Sequence, residues 1–510
     1  MHVPTGTFRV VVPPADATVT SVNVNVPVAE RTPDALQRIN SPPVAASPLW
    51  ATAGIIEATR LASTIFRTTD DLTTRRIGGI LSASSTNHRT HSSCALRLGK
   101  SELSNLETRP GLGQHAAVDA TSSARTVIRA AAKRLRVVPP PLAIFIWSRL
   151  LIWTIAIYAW VWFVPRPAKP PNSSDLGYAT EIWARADSGW FLSIAQHGYE
   201  RNGGEVFYPL YPLGVGTLGR ALGGYYVTAG IVLSLVCCAA AFVLLYKLAL
   251  PRLGADGARR AVLYLALFPM SLFLQAVYSE SLYLLLCVGA FLLAERQRWL
   301  SASIVTGLAM LTRFAGFALF VPILLLAWRS PQRRRALLNL LVAPALACLY
   351  PLWLQLQIHA PRSAFTNEAG WGRHLSPAGP FGGLWHGLVK AWSGVELLVT
   401  SSSGNLQGAA HNVEYFAFLV LFLWLDVEAW RRFGAPYGLF VLVSIAIALS
   451  APTVGYPLLS MPRFCLPLFP AFLALAAVAT TVRRDRAILV LSSSFLAVAV
   501  IEWSVGQWVS

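Results

Sequence analysis

The sequence predicts an all-α protein that crosses a membrane many times. Of its 510 residues, 55% are hydrophobic and only 13% are charged, whereas a soluble chain of this size carries about 25% charged residues. From about residue 140 to the C-terminus, apolar runs suited to membrane helices follow one another. Short basic clusters separate several of these runs, as is typical of a protein whose charges set its membrane orientation.

Residues 1–138 differ from the rest of the chain in composition. They are rich in Thr, Ser, Ala, Pro and Arg and show no sustained helical or strand periodicity, which predicts a low-complexity, disordered region. Met occurs only at positions 1, 270, 310 and 461. An alternative is therefore that part of this region is a gene-model extension and that translation starts at a non-Met codon such as that of Val127 or Val137. We predict a transmembrane domain over residues 139–510.

Ten apolar runs predict the membrane helices of this domain. They lie at 142–164, 226–250, 261–277, 281–294, 301–328, 336–357, 413–429, 436–450, 464–482 and 487–505. The run 301–328 is interrupted at Thr312 and Arg313 and predicts either one long span or two short ones, so the total is ten or eleven. Several runs are short, and their helices are expected to tilt or to re-enter the membrane.

Basic clusters predict the orientation of these spans. They lie at 129–136, 247–260, 296–298, 329–335, 431–432 and 483–486, and the positive-inside rule places all of them in the cytoplasm. Dividing the run 301–328 at Arg313 makes this assignment self-consistent and favours eleven spans. Two long loops, about 165–225 and 358–412, then face the extracytoplasmic side. Topology accounts for the net charge of +18, and we expect no nucleic-acid partner because no basic motif interleaved with aromatic residues is present.

Ionisable residues gather on the predicted extracytoplasmic side. Arg185 and Asp187 lie in the first long loop, and Glu280, Arg313 and Arg463 lie at span ends, where charged groups are costly and often mark a site. A polyprenyl phosphate that leaves as an anion needs cations and hydrogen-bond donors. An acceptor hydroxyl needs a base to take its proton. One Asp and one or two Arg therefore suit the transfer of a sugar from a lipid-linked phosphate, with no metal and no further cofactor.

Four sequence motifs carry a resemblance to a known family. The stretch "RADSGWFLSIAQHGYE" with "VFYPLYPL" after it, then "LFPMSLFLQAVYSESLYLLL", "LTRFAG" and "SMPRFCLPLFP", resemble the PIG-V-like mannosyltransferases. These are GT-C membrane glycosyltransferases related to GPI mannosyltransferase 2. The resemblance covers about residues 140–482. It implies a GT-C-like fold, a dolichyl- or polyprenyl-phosphate mannose donor, action outside the cytoplasm, and an equivalence of Asp187 with the acidic residue of the family's first loop. The family commonly has Trp where this chain has Ala186, which puts the local packing of the substrate in doubt.

From these observations we predict one catalytic residue, Asp187, as the general base. The predicted substrate-binding residues are Arg185, Tyr278, Glu280, Arg313 and Arg463. Each has a structural alternative. Asp187 could cap the helix that follows it, and Arg185 could pair only with this Asp or with Glu181. Tyr278 and Glu280 could cap the next span, and the two later Arg residues could reach lipid headgroups.

The sequence therefore favours an integral membrane glycosyltransferase whose partners are membrane lipids, a lipid-linked sugar donor and a glycolipid or glycan acceptor. A GT-C enzyme that uses another lipid-linked sugar, such as glucose or arabinose, stays open. A multi-span transporter or flippase is disfavoured because the long loops do not mark two repeated halves. The preference for Arg over Lys favours a bacterial plasma membrane, and the endoplasmic reticulum membrane is the alternative for a eukaryotic chain. His374 and His411 lie in the second long loop and are expected to shape the acceptor site, whereas His197 is expected to make a structural hydrogen bond.

Overall fold

The computed structural model describes residues 138–164, 176–200, 203–400 and 404–509. Within these residues the chain is helical, and it has no strand apart from one isolated antiparallel bridge between Arg373 and Thr453. The all-α prediction is therefore confirmed for this part of the chain. The region predicted to be disordered lies outside the described residues except for residue 138, and the proposed division of the chain at that point stays a prediction.

The helices of the described residues are numbered here in chain order. They are α1 (Pro140–Phe163), α2 (Tyr178–Glu181), α3 (Ser188–His197), α4 (Leu210–Ala221), α5 (Tyr226–Ala266), α6 (Glu280–Glu295), α7 (Trp299–Met310), α8 (Gly316–Trp328), α9 (Arg333–Leu340), α10 (Val342–Ile358), α11 (Ser363–Thr366), α12 (Pro380–Thr400), α13 (Leu406–Phe433), α14 (Ala435–Ser450), α15 (Met461–Cys465), α16 (Phe469–Val478) and α17 (Val482–Ser504). Short 3-10 helices lie at Gly204–Val206, Pro269–Leu274 and Asn367–Trp371.

Apolar helices long enough to cross a membrane are present, as predicted. Four stretches of the described residues meet this condition by length and composition: α1, α5, the continuous segment Arg333–Ile358 formed by α9 and α10, and α17. Helices α7, α8, α14 and α16 are apolar but have only 10–17 residues, and a perpendicular span needs about 20. The structure therefore supports an integral membrane protein, and the number of ten or eleven spans stays a prediction.

Proline and glycine set the breaks between these helices. Helix α5 is interrupted at Gly254, whose φ of 67° is not helical, in agreement with the predicted gap between 250 and 261. The predicted span 261–277 is wrong as a continuous helix. The α-helix ends at Ala266, and Phe268 has an extended ψ of 140°, since the residue before a proline, here Pro269, avoids the helical region. The predicted span 464–482 is likewise divided into α15 and α16, with a proline at position 467 between them.

The two predicted loops contain helices of their own. The first loop holds α2, α3 and α4, and the second holds α11 and α12. Helix α12 has 21 residues and was not predicted from the sequence. Of the residues that form the candidate site, Asp187 directly precedes the short α3 and Arg463 lies in the short α15, whereas Glu280 begins α6 and Arg313 lies between α7 and α8. Loops, breaks and helix ends therefore position the site.

A buried arginine stabilises the break after α5. Arg149, in the middle of α1, is 4% exposed. Its Nη1 donates to the carbonyl oxygen of Ser271 at 2.7 Å, and its Nη2 donates to that of Ala266 at 3.1 Å. These carbonyls lie at the end of α5 and in the 3-10 helix after it, where the end of the helix leaves carbonyl groups without helical partners. Arg149 therefore fixes the segment that leads to Tyr278.

Aromatic packing holds the same break from the other side. The ring of Phe268 lies 5.6 Å from that of Phe418, 5.7 Å from Phe422 and 5.3 Å from Phe472, centroid to centroid, with edge-to-face geometry. Edge-to-face pairs add about 0.5–1.5 kcal/mol each beyond the burial of their area. These contacts join the end of α5 to α13 and α16, so residues far apart in the chain fix the position of the segment before α6.

Candidate active site

Asp187 lies at the start of α3, directly after a strained residue. Ala186 has a φ of 49°, in the left-handed region that residues other than glycine rarely adopt and that is often occupied at functional sites. The Asp187 side chain makes no capping hydrogen bond with α3. It instead accepts a hydrogen bond from Nη1 of Arg463 at 2.7 Å through its Oδ2. The alternative that Asp187 serves as a helix cap is therefore not what the geometry shows.

Two carboxylates and two arginines form a continuous ionic cluster. Besides Asp187, the guanidinium group of Arg463 faces Glu280, with Nε 3.6 Å from Oε1. The same Oε1 lies 2.6 Å from Nη1 of Arg313. The four side chains are 1–19% exposed, with Glu280 the most buried at 1%. The formal charges of the two acids and two bases cancel, which allows all four to be buried together.

The buried arginine of this cluster lies among aromatic rings. The guanidinium carbon of Arg463 is 5.5 Å from the ring centroids of Phe273 and Tyr278 and 5.8 Å from that of Phe464. Burial lowers the pKa of Arg463, but the charges of Asp187 and Glu280 raise it more, so the pKa lies above its ordinary value. Arg463 therefore stays positively charged, and its hydrogen bond with Asp187 orients the guanidinium group in this structure. Three residues before Arg463, the backbone of Ser460 is in the left-handed region with a φ of 66°.

Tyr278 links the loop of Asp187 to the segment before α6. Its hydroxyl accepts a hydrogen bond from the backbone N–H of Asp187 at 3.1 Å and donates one to the carbonyl oxygen of Arg185 at 3.4 Å. Burial, together with the negative charge of Asp187, raises the pKa of Tyr278 well above its ordinary value. The phenol is therefore neutral and can both donate and accept hydrogen bonds.

Arg185 lies next to the cluster but does not pair with Asp187. Its Nη1 donates to the carbonyl oxygen of Trp503 at 3.2 Å, and its guanidinium carbon lies 5.2 Å from the ring centroid of Trp160. Burial lowers the pKa of Arg185, and the charge of Glu181 partly offsets this effect. Arg185 therefore ties the loop to α17 and α1, and its predicted contact with substrate stays a prediction.

The structure adds residues that the sequence did not single out. Phe273 and Phe464 contact the guanidinium group of Arg463, as described above. Arg373 donates to the carbonyl oxygens of Ala451 at 3.3 Å and Leu459 at 3.0 Å, and its guanidinium carbon lies 5.2 Å from the centroid of Phe464. Arg373 lies next to His374 in the second long loop, which the sequence predicts on the same face as the ionic cluster. Its charge at that position could have identified it from the sequence.

The predicted histidines lie around the cluster without joining it. His411 is 3.8 Å from Glu414 through its Nδ1 and stacks on Tyr415, centroid to centroid, at 5.6 Å, and His374 is exposed. His197, the last residue of α3, lines a cavity of about 270 Å³ together with Tyr199, residues of α4 and Trp353 of α10. Among the residues that the structure describes, no group of three or more His, Cys, Asp or Glu could hold a metal ion. Whether the reaction needs a metal or another cofactor stays a prediction.

Comparison with known proteins supports the resemblance noted in the sequence. Residues 176–333 match the family model described as Mannosyltransferase (PIG-V), and this segment includes Asp187, Tyr278, Glu280 and Arg313 but not Arg463. The resemblance to that family is therefore confirmed over the matched residues. A comparison with curated protein sequences found no match.

Two structures of an archaeal oligosaccharyltransferase from Archaeoglobus fulgidus are similar to this chain. One is tethered to an acceptor peptide and has a TM-score of 0.35 and 14% identity, with 71% of this chain and 55% of that chain covered. The other is in complex with an inhibitory peptide and a dolichol-phosphate and has a TM-score of 0.36 and 15% identity, with 71% and 56% covered. The chain thus spans about half the length of these proteins. The apolar helices and the family match together support a membrane glycosyltransferase.

Proposed function

We propose that this chain is an integral membrane glycosyltransferase that transfers mannose from a polyprenyl- or dolichyl-phosphate donor to a hydroxyl group of a glycolipid or another extracytoplasmic glycan. The observation that carries this proposal is the ion pair of Asp187 with Arg463, at 2.7 Å, inside a cluster of two acids and two arginines that are 1–19% exposed. The match of residues 176–333 to a mannosyltransferase family supports the choice of sugar.

Arg463 and Arg313 are the proposed ligands of the donor phosphate. As the bond from the sugar to the phosphate breaks, negative charge builds on the phosphate oxygens, and guanidinium groups stabilise it with charge-assisted hydrogen bonds. Phosphate oxygens compete with Asp187 and Glu280 for these groups. Nε of Arg463 faces Glu280 at 3.6 Å without a hydrogen bond of good geometry in the described part of the chain, so this N–H group is proposed to turn to a phosphate oxygen when the sugar donor binds. Binding of the donor therefore loosens the hold of Arg463 on Asp187.

Asp187 is the proposed general base. The acceptor oxygen attacks the anomeric carbon from the side opposite the phosphate, its proton passes to the Asp187 carboxylate, and the electrons of the breaking bond leave with the phosphate. The configuration at the anomeric carbon is inverted. A base in hydrogen-bond reach of the acceptor hydroxyl, about 2.6–3.2 Å, contributes about 100- to 10,000-fold in rate. The backbone hydrogen bond with Tyr278 keeps Asp187 in place for this step.

Asp187→Asn tests the proposal. Membranes that contain the full chain are incubated with radiolabelled polyprenyl-phosphate mannose, and the lipid and protein products are separated. We expect wild type to transfer mannose and the variant to lose about 100- to 10,000-fold in rate, with retained donor binding. The matched control is Asp256→Asn, the same change at an exposed carboxylate on α5, which we expect to be as active as wild type.

The outcomes of this experiment separate the alternatives. Transfer by Asp187→Asn at a rate close to wild type would show that Asp187 is not the base, and Glu280 would be the next candidate. Transfer of glucose or arabinose, and not of mannose, from the corresponding lipid-linked donors by wild type would contradict the choice of sugar and keep the reaction class.

A further inference from the structure

One face of α12 carries an exposed apolar stripe along its whole length. The stripe residues and their exposed fractions are Phe381 (74%), Trp385 (62%), Leu388 (43%), Trp392 (72%), Val395 (42%) and Val399 (77%). Their spacing alternates between four and three residues, which places all six on one side of an α-helix. Soluble surfaces rarely leave so long an apolar stripe in water.

The opposite side of α12 consists of small residues in tight contact with the protein. A Cβ atom on Gly383 would lie 2.0 Å from the carbonyl oxygen of Leu449, and one on Gly394 would lie 2.7 Å from that of Ala409. Ala391, on the same side, is buried. Contacts this close allow no larger side chain, so α12 cannot rotate about its axis. The apolar stripe is therefore held outward by the packing behind it.

Both ends of α12 lie on the side of the molecule that carries the ionic cluster. Before its first turn, the backbone N–H of Ser376 donates to the carbonyl oxygen of Ser450, the last residue of α14, at 2.9 Å. In the middle, a Cβ on Gly387 would lie 2.8 Å from the side chain of Leu458, just before α15 and Arg463. Near its end, Gly394 contacts the first turn of α13. The helix, about 31 Å long at ~1.5 Å per residue, therefore packs along the N-terminal part of α13 and the end of α14. It is not among the described stretches that are long and apolar enough to cross a membrane.

Three polar residues of α12 lie on one flank between these two sides, while the exposed Glu396 lies at the edge of the stripe, about 40° around the helix from Trp392. At about 100° per residue, His386, Lys390 and Ser393 lie about 100–160° around the helix from Trp392. This arrangement is typical of a helix that lies in the membrane interface, with Trp at the headgroup level and basic residues toward water. The neighbouring α13 also exposes apolar side chains, among them Val420 at 51% and Trp424 at 45%.

We infer that α12 is an interfacial helix whose apolar stripe lies in the lipid of the leaflet next to the ionic cluster. The occupant of the stripe is the headgroup and upper acyl region of this leaflet, to a depth of about 5–10 Å. The inference depends on the placement of α12 and not on the proposed reaction. Its consequence is a fixed depth of the ionic cluster relative to the bilayer surface.

Photocrosslinking of the full chain in lipid nanodiscs tests this inference. The photoreactive residue benzoylphenylalanine replaces Trp385 or Trp392, and it replaces Lys390 or Ser393 in matched controls on the same helix. The nanodiscs contain phosphatidylcholine and phosphatidylglycerol with alkyne-tagged acyl chains. We expect strong lipid adducts at the two Trp positions and weak ones at the two controls. Size-exclusion chromatography confirms that each variant is folded before irradiation.

Three outcomes would overturn the inference. Adducts of twice the chain mass at the two Trp positions would show that a second copy of the chain covers the stripe. Equal lipid labelling at the Trp and control positions would show that the stripe does not define the lipid-facing side. An absence of lipid adducts at all four positions would show that α12 stands clear of the bilayer.

Discussion

Arg463→Lys separates the charge of Arg463 from its shape. In wild type the planar guanidinium group meets Asp187 at 2.7 Å through Nη1 and faces Glu280 at 3.6 Å through Nε. Lys keeps the positive charge but has a single ammonium group in place of this planar group. The flat contact with the rings of Phe273, Tyr278 and Phe464 is also reduced. The variant therefore tests whether orientation of the cation matters for the reaction, beyond its charge.

The expected loss follows from these contacts. A hydrogen bond to a charged group contributes about 1.5–3 kcal/mol, and a partly desolvated cation–π contact contributes about 0.5–2 kcal/mol. Lys retains part of both, so we expect a loss of about 2–3 kcal/mol in transition-state stabilisation, or about 30- to 150-fold in kcat/KM. Part of this loss falls on KM for the donor, because the phosphate is bound in the ground state as well.

The assay is the rate of mannose transfer at varied concentrations of radiolabelled donor, with purified wild type and variant in the same detergent. The control is Arg432→Lys, because Arg432 forms an exposed pair with Glu428 at 2.8 Å on α13 and such pairs contribute at most about 1 kcal/mol. We expect the control to match wild type. If Arg463→Lys also matched wild type in kcat/KM and in KM, Arg463 would not bind the donor phosphate and the reasoning would fail.

Three further changes test the surroundings of the cluster. Glu280→Gln removes a buried carboxylate and leaves two arginines that are only 15% and 12% exposed with a single acid. We expect a loss of about 3–5 kcal/mol in stability, measured as a lower temperature of aggregation in detergent, and a smaller loss for Glu280→Asp. Tyr278→Phe removes two hydrogen bonds of about 0.5–1.5 kcal/mol each and should lower turnover. It should leave the pH profile around neutrality unchanged, because the raised pKa of Tyr278 keeps this phenol protonated there; a shifted profile would contradict this. Arg149→Gln removes charged donors from two buried carbonyls, at about 1.5–3 kcal/mol each, and should lower the same aggregation temperature, whereas an unchanged temperature would show that Arg149 does not hold the break after α5.

The position of the cluster could be predicted because charges at span ends share a plane. Asp187 and Arg463 are 276 positions apart in the chain, yet the positive-inside rule placed both at the same face, together with Glu280 and Arg313. In the structure these four side chains form one ionic cluster. The family motifs indicated the same residues independently. Their chemical roles remain predictions, since geometry brings groups together without showing what they react with.

Other features had no signal of this kind, or had one that was not used. Arg185 donates to a backbone carbonyl of α17. Because every residue has a backbone carbonyl, the sequence does not indicate which one an arginine will bind. The division of the span at 261–277 depends on Pro269, which was visible but stands inside an apolar run that suggested a continuous helix. Helix α12 was missed because its Gly and polar residues resemble a loop, although the spacing of its two Trp residues with Leu388 and Val395 already had the helical period.

The separation of the cluster residues along the chain also determines the order in which they can pair during synthesis. Glu280 and Arg313 are close enough in sequence to pair while the ribosome is still adding the later helices. Asp187 precedes Arg463 by 276 positions, which is a delay of about 14–55 s at ~5–20 residues per second. For that interval the nascent protein carries an acid with no arginine partner from α15, and the arrival of Arg463 completes the neutral set. A chain cut short before this residue would therefore leave one negative charge of the cluster without a compensating arginine.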